Sequence, residues 1–187
     1  MSQRRIPAWC IGLLSLALAA SAFAADAPAP AGAAILTVAG NISQVNRPPF
    51  DKFEDPFFAH HERSFDKAFA FDLAMLEALG THHVTVAFAG WPRSIQIEGP
   101  LLRDVLAAAG AAQGTVTMVA LDGFATELSP GQLAAEDWIV ALKENGRYLG
   151  IGQRGPTWVL YARRDGKAAT EEDEGRWPWA VFLIDVR

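Results

Sequence analysis

Cysteine is almost absent from this chain: Cys10 is the only one in 187 residues. A single cysteine excludes a disulfide framework and a cysteine-based zinc site. Positive charge is also scarce. The formal net charge is −5, which argues against nucleic acid as a partner, because phosphate-binding surfaces need a basic excess. No G-x-S-x-G motif occurs, so Ser94 and Ser129 have no nucleophile-elbow context and read as a strand end and a helix cap. Internal repeats are missing as well. The apolar stretch Ile11–Ala20 is too short for a stable membrane span.

That stretch follows Arg4 and Arg5 and precedes the small-x-small triplet Ala22-Phe23-Ala24. This is the layout of a bacterial secretory signal peptide. Residues 1–24 are therefore expected to direct Sec export to the periplasm, with cleavage after Ala24. Cys10 would leave with them, and the mature chain would hold no thiolate for nucleophilic attack or metal binding. Residues 25–33 (ADAPAPAGA) read as an extended linker, and 34–187 as one domain. A composition of 51% hydrophobic and 20% charged residues is that of an ordinary globular domain.

Within the domain, Ile35–Val38 reads as a first strand and Pro48-Pro49 forbids a helix before Phe50. Seven of the eleven phenylalanines fall in residues 50–71. That segment is expected to fold onto the core through its rings, with partner docking or a pocket lid as the other reading. Asp72 looks like an N-cap for 73–79 and Gly80 like the residue past its end. Strands are expected at Val84–Phe88 and Ile95–Glu98. Gly99-Pro100 is expected to open a helix through Ala109, with Pro100 at its first position. Thr115–Leu121 and Phe124–Leu128 pair as strands across a two-residue Asp122-Gly123 turn, and Trp138–Lys143 and Arg147–Leu149 across Asn145-Gly146. Ser129-Pro-Gly-Gln132 reads as a capping box. Trp158–Tyr161 and Ala180–Val186 complete the strands, and the acidic run Glu171–Glu174 between them reads as a solvated loop. Many strands with a few short helices give an α+β domain.

The order and spacing of several stretches resemble one family. Residues 95–106 (IQIEGPLLRDVL), 120–130 (ALDGFATELSP), 138–146 (WIVALKENG), 154–160 (RGPTWVL) and the closing Val181–Val186 are similar to the sulfite-oxidase-type, oxidoreductase molybdopterin-binding domain. The resemblance implies a single domain of mixed β-sheets over 34–187. It also implies a molybdenum-ligating cysteine shortly before Gly99, as in catalytic members, and a basic segment before the closing strand that holds the pterin phosphate. This chain departs from both. The window Val86–Pro92 contains no cysteine, serine or aspartate, and Lys167–Arg176 is dominated by acids, which repel a phosphate. The chain thus resembles a short secreted branch lacking the metal thiolate.

Candidate cofactor-binding residues remain. Arg93 lies in the loop on the metal side of the pocket. Arg154 and Gly155 lie in a loop with Gly150 and Gly152, where missing side chains permit close approach to a ligand. Arg163 ends the Trp158–Tyr161 strand and is followed by Arg164. Arg154→Ala is expected to spare folding and weaken an anion. His60-His61 and His82-His83 could supply a metal site only as one histidine from each pair plus Glu62 or Asp66, because adjacent histidines in extended chain face opposite ways. Trp158, Trp177 and Trp179 read as core and rim packing. The favoured expectation is a degenerate periplasmic module that binds a small anionic ligand or a protein partner, with no cofactor. The alternative is a molybdopterin-dependent oxidoreductase with a thiolate-free metal site. A histidine metal protein comes third.

Overall fold

Four of the five side chains of LTVAG, strand β1 (Leu36–Gly40), are buried, so this strand must be covered on both faces. Its two faces belong to two different cores, as alternation along a strand requires. In the computed structural model, which describes residues 27–187, Leu36 and Val38 enter the main core while Ala39 enters a smaller cluster with Phe65, Ala68, Val119, Phe182 and Leu183. The proposed signal peptide and the start of the linker lie outside the described residues. Among the described residues, no helix is long and apolar enough to cross a membrane.

The chain continues through α1 (Pro56–His60), β2 (Ala68–Phe71), α2 (Leu73–Ala78), β3 (His82–Val86), β4 (Ile95–Gly99) and α3 (Leu102–Ala108). It then forms β5 (Val116–Ala120), β6 (Ala125–Leu128), α4 (Pro130–Ala135), β7 (Ile139–Ala141), β8 (Lys143–Glu144), β9 (Arg147–Tyr148), β10 (Trp158–Leu160), α5 (Glu171–Glu174) and β11 (Val181–Val186). A five-stranded sheet runs β2-β1-β11-β5-β6. Only the β1–β11 pair in it is parallel. A four-stranded antiparallel sheet runs β3-β4-β8-β9, and β7 pairs with β10. The fold is α+β with mixed sheets and short helices.

The phenylalanine-rich segment is a cover for the second face of the large sheet. Phe58 and Phe65 stack edge-on at 5.2 Å, Phe58 and Phe182 at 5.4 Å, and Phe57 and Phe182 at 4.8 Å. The Arg47 guanidinium lies 4.8 Å from the Phe65 ring centre and is ion-paired with Asp55. Phe69 and Phe71 belong to β2 and point into the main core. Phe53 alone is left almost free, at 86% exposure.

Local signals hold where capping and turn chemistry decide. Asp72 accepts from Met75 N at 2.8 Å and caps α2, Gly80 follows with φ +101°, and Ser129 and Gln132 close a capping box on α4. Asn145 and Gly146 both adopt positive φ, as a two-residue type I′ hairpin requires.

Other expectations need correction. The helix expected from Pro100 begins at Leu102, because Leu101 is extended and Pro100 accepts from Val140 N. The strand expected over Val84–Phe88 is shifted to His82–Val86 by its register on β4. The strand expected over Trp138–Lys143 changes sheets at Leu142, leaving β10 for β4. The turn at Asp122-Gly123 holds three residues: Ala120 N donates to Phe124 O at 2.9 Å, enclosing Leu121–Gly123. The acidic run is not a loop. Thr170 and Asp173 form a capping box, and α5 turns on it.

Leu102 is 1% exposed at the start of α3. It also borders a groove of about 520 Å³ between α3 and α4, into which neighbours can relax. Leu102→Ala is therefore expected to destabilise by about 2–3 kcal/mol, the low end for a buried leucine, as read from denaturant unfolding. A loss below about 0.5 kcal/mol would place this face outside the core.

Candidate functional site

The loop after β3 is built from rings. Phe88 bridges to Ala169, whose N–H donates to Ala87 O at 2.7 Å, and Trp91 N donates back to Phe88 O at 3.0 Å. Gly90 fits inside this turn because a Cβ there would lie 2.6 Å from the Phe88 ring. The Trp91 ring then packs on Phe88 at 5.7 Å, on Trp158 at 5.8 Å and on Trp177 at 6.1 Å. Trp158 is wholly buried and Trp177 nearly so.

Arg154 closes this cluster. Its guanidinium carbon is 4.9 Å from the Trp158 ring centre, 5.4 Å from Trp91 and 5.5 Å from Trp179. Its Nη1 donates to Glu144 Oε2 at 2.8 Å. The charge is thus matched by a carboxylate and spread over three aromatic faces. The expectation that Arg154→Ala spares folding is revised accordingly: the side chain is part of the packing. Gly155 is held close by the chain itself, because a Cβ would meet the backbone C and O of Leu149 at 2.4 Å. The close approach that glycine permits is made by Leu149. Three buried donors in the cluster, Arg154 Nε, Trp158 Nε1 and Trp177 Nε1, have no acceptor among the described residues.

Arg163 belongs to a second assembly. It donates to Asp173 Oδ2 and Asp165 Oδ2, each at 2.9 Å. The Tyr161 hydroxyl donates to Asp173 Oδ1, and Thr170 N donates to Asp173 Oδ2 at 2.8 Å. Burial alone would raise the Asp173 pKa, but these donors outweigh it and hold the carboxyl well below the usual carboxylate range. Burial, and then the bond to Asp173, pushes the Tyr161 phenol well above its ordinary value. Asp165 is lowered to about 2 by Arg163 and the Lys167 backbone N–H. A cavity of about 380 Å³ lies beside this network, lined by Thr85, Ser94, Tyr161, Arg163 and Lys167 among others. Arg93 precedes Ser94 on the exposed side of the loop and has no ion-pair partner among the described residues. Arg163 therefore borders the cavity, Arg93 lies next to a lining residue, and Arg154 and Gly155 are not among the lining residues.

Sequence reasoning missed the ring stack at Trp91 and the part played by Asp173. The second had a legible signal, Thr170 three residues before an acid. The histidine pairs lie apart in the fold. His61 packs on Phe57 and Phe182 over the large sheet, and His83 faces Glu98 on β4. Among the described residues, no three His, Cys, Asp or Glu side chains are placed to hold a metal ion.

No protein-family model and no curated protein matches the chain. Solved structures do. The sulfane dehydrogenase SoxCD from Paracoccus pantotrophus matches with a TM-score of 0.53 over 81% of this chain, at 13% identity. The fold is shared. The chain spans 37% of the length of that SoxCD chain, and an identity this low relates the two at the level of fold.

The residues in place do not fit a molybdenum centre held by the protein. The window where the resemblance puts the metal ligand reads Val86–Pro92, offers no thiolate, and is packed with the Phe88 and Trp91 rings. Of the three candidate arginines, Arg154 is paired with Glu144 and Arg163 with two aspartates, which leaves Arg93 alone without an ion-pair partner among the described residues.

Proposed function

We propose that this protein is a non-catalytic periplasmic binding module on the molybdopterin-domain scaffold. Its own side chains hold no metal, and it uses the mouth of the former pocket for a small anionic ligand or a partner protein. The observation that carries this reading is the ring-filled Val86–Pro92 window, where no soft donor is available for molybdenum. A scaffold freed from metal chemistry can keep its pocket edge for binding, since function resides in the site and not in the fold.

Arg93 is the cation of choice for the anion. Arg154 and Arg163 are neutralised by carboxylates, whereas Arg93 is exposed beside Ser94 of the cavity wall. Thermal unfolding in millimolar sulfate, sulfite and phosphate tests this. A specific site gives a stabilisation that saturates with concentration. General exclusion of these ions from the surface gives a rise that does not saturate. We expect a saturating rise in melting temperature with at least one of the three anions, and its loss in Arg93→Ala. That substitution is at an exposed loop and should cost less than about 0.5 kcal/mol by itself. Absence of any saturating rise, or a rise unchanged in Arg93→Ala, would overturn the anion assignment.

A further inference from the structure

On the far side of the tryptophan cluster, the β5–β6 turn faces α5 and the start of β11 across a cavity of about 290 Å³. Its wall is unlike that of the Arg163 cavity. It is lined by Phe124, Trp177 and Trp179, together with Asp122 and Glu174. No basic residue lines it. Phe124 and Trp179 are among the few large apolar side chains left open, at 48% and 46% exposure. Exposed rings that converge on one cavity call for an explanation, whereas scattered ones do not.

We propose that this cavity binds an organic cation, a quaternary or primary ammonium compound. The site goes beyond the anion site proposed above and does not depend on it. Aromatic faces attract a cation through their quadrupole, and the attraction grows as the cation loses water between them. Two carboxylates add the net negative charge that such a ligand needs. Asp122 uses one oxygen to accept from Phe124 N at 2.9 Å, which fixes the turn, and neither Asp122 nor Glu174 is ion-paired among the described residues. Arg176, next in the chain to Trp177, pairs with Glu172. Arg154 lies 5.5 Å from the Trp179 ring centre, but its charge is paired with Glu144 and it does not line the cavity.

Trp177 is 3% exposed and supplies the fixed inner wall of the cavity, held there by its packing on Trp91, Trp158 and Tyr161. The small volume, at the low end for ligand sites, suits a compound of a few heavy atoms.

The test is a titration of the exported protein with choline, followed by intrinsic tryptophan fluorescence and calorimetry. Its uncharged carbon isostere, 3,3-dimethylbutanol, is the control of equal shape. We expect saturable choline binding and at least about tenfold weaker binding of the isostere. Trp179→Ala and the pair Asp122→Asn with Glu174→Gln should each weaken choline by about tenfold or more, with unchanged circular dichroism. All three positions are away from the main core, so the variants should fold. No saturable response to choline, equal binding of the isostere, or wild-type affinity in folded Trp179→Ala would each overturn the proposal. An anion response lost in Arg93→Ala would be unaffected by any of these results, so the two sites fail or stand separately.

Discussion

Trp158→Ala is expected to destabilise the protein by about 3–5 kcal/mol, the range for emptying a buried aromatic position. Trp158 is among the largest fully buried side chains, and it is where the Val86–Pro92 loop, the Arg154 loop and the approach to β11 meet. Its ring contacts Trp91 at 5.8 Å and Trp177 at 6.2 Å, and the Arg154 guanidinium lies over it. Removal leaves a cavity and strips one face from a partly buried cation. Denaturant unfolding measures the loss, provided the slope of the transition is unchanged. Trp179→Ala is the internal comparison: that ring is half open and should cost well under 1 kcal/mol, about the scale of a surface change. A small effect of Trp158→Ala would mean that the rings around Val86–Pro92 do not form a packed cluster.

Asp173→Ala is expected to cost about 3–4 kcal/mol, because it removes one partner from a buried charged network and leaves the others unsatisfied. Asp173 is 8% exposed and accepts from Tyr161, Arg163, Thr170 and the Thr170 backbone. The loss also removes half of the α5 capping box, the bond from Thr170 N, while the Thr170 hydroxyl still caps Asp173 N. A pH dependence follows from the lowered pKa. The folded carboxyl ionises below the unfolded one, so its stabilisation is complete above the unfolded value near ~4 and is lost as pH falls through the folded value. The stability gap between wild type and Asp173→Ala should be constant from about pH 7 to 5 and should narrow below about 4. A gap that persists undiminished well below pH 4 would mean that packing, and not the charged network, makes the contribution.

What the sequence made legible was what local chemistry decides. Asp72, Ser129 and the Asn145-Gly146 pair each settle a cap or a turn within four residues, and each is where the sequence places it. The strand β2 was harder, since Ala68–Phe71 is buried on both faces and so shows no alternation to separate it from the surrounding rings. The break at Leu142 was illegible for another reason: pairing with β10 on one side and β4 on the other is decided by partners distant in sequence. The acidic run was misjudged because four consecutive acids suggest solvent, while one of them, Asp173, has been drawn inward by Arg163 and Tyr161. For the site, the sequence shows that Val86–Pro92 holds no cysteine. It did not reveal that Arg154 would be absorbed into a tryptophan cluster, because nothing local ties Trp91 to Trp158 and Trp179.

The same division explains why the three arginines separate. Each could serve an anion when read singly. In the fold, Arg154 and Arg163 find carboxylates within their own neighbourhoods, and the free charge falls to Arg93. The two proposed sites differ in sign: an anion beside Arg93, and a cation in the Asp122–Glu174 cavity.

The central claim is that the scaffold has lost its metal, and molybdenum and pterin content tests it most directly. The protein would be purified after export from a host that makes the cofactor, beside a family member that has the cysteine. The account predicts neither molybdenum nor pterin in the folded protein while the control is loaded. Stoichiometric molybdenum and pterin in this protein would contradict it, and would mean that a site without a thiolate holds the cofactor.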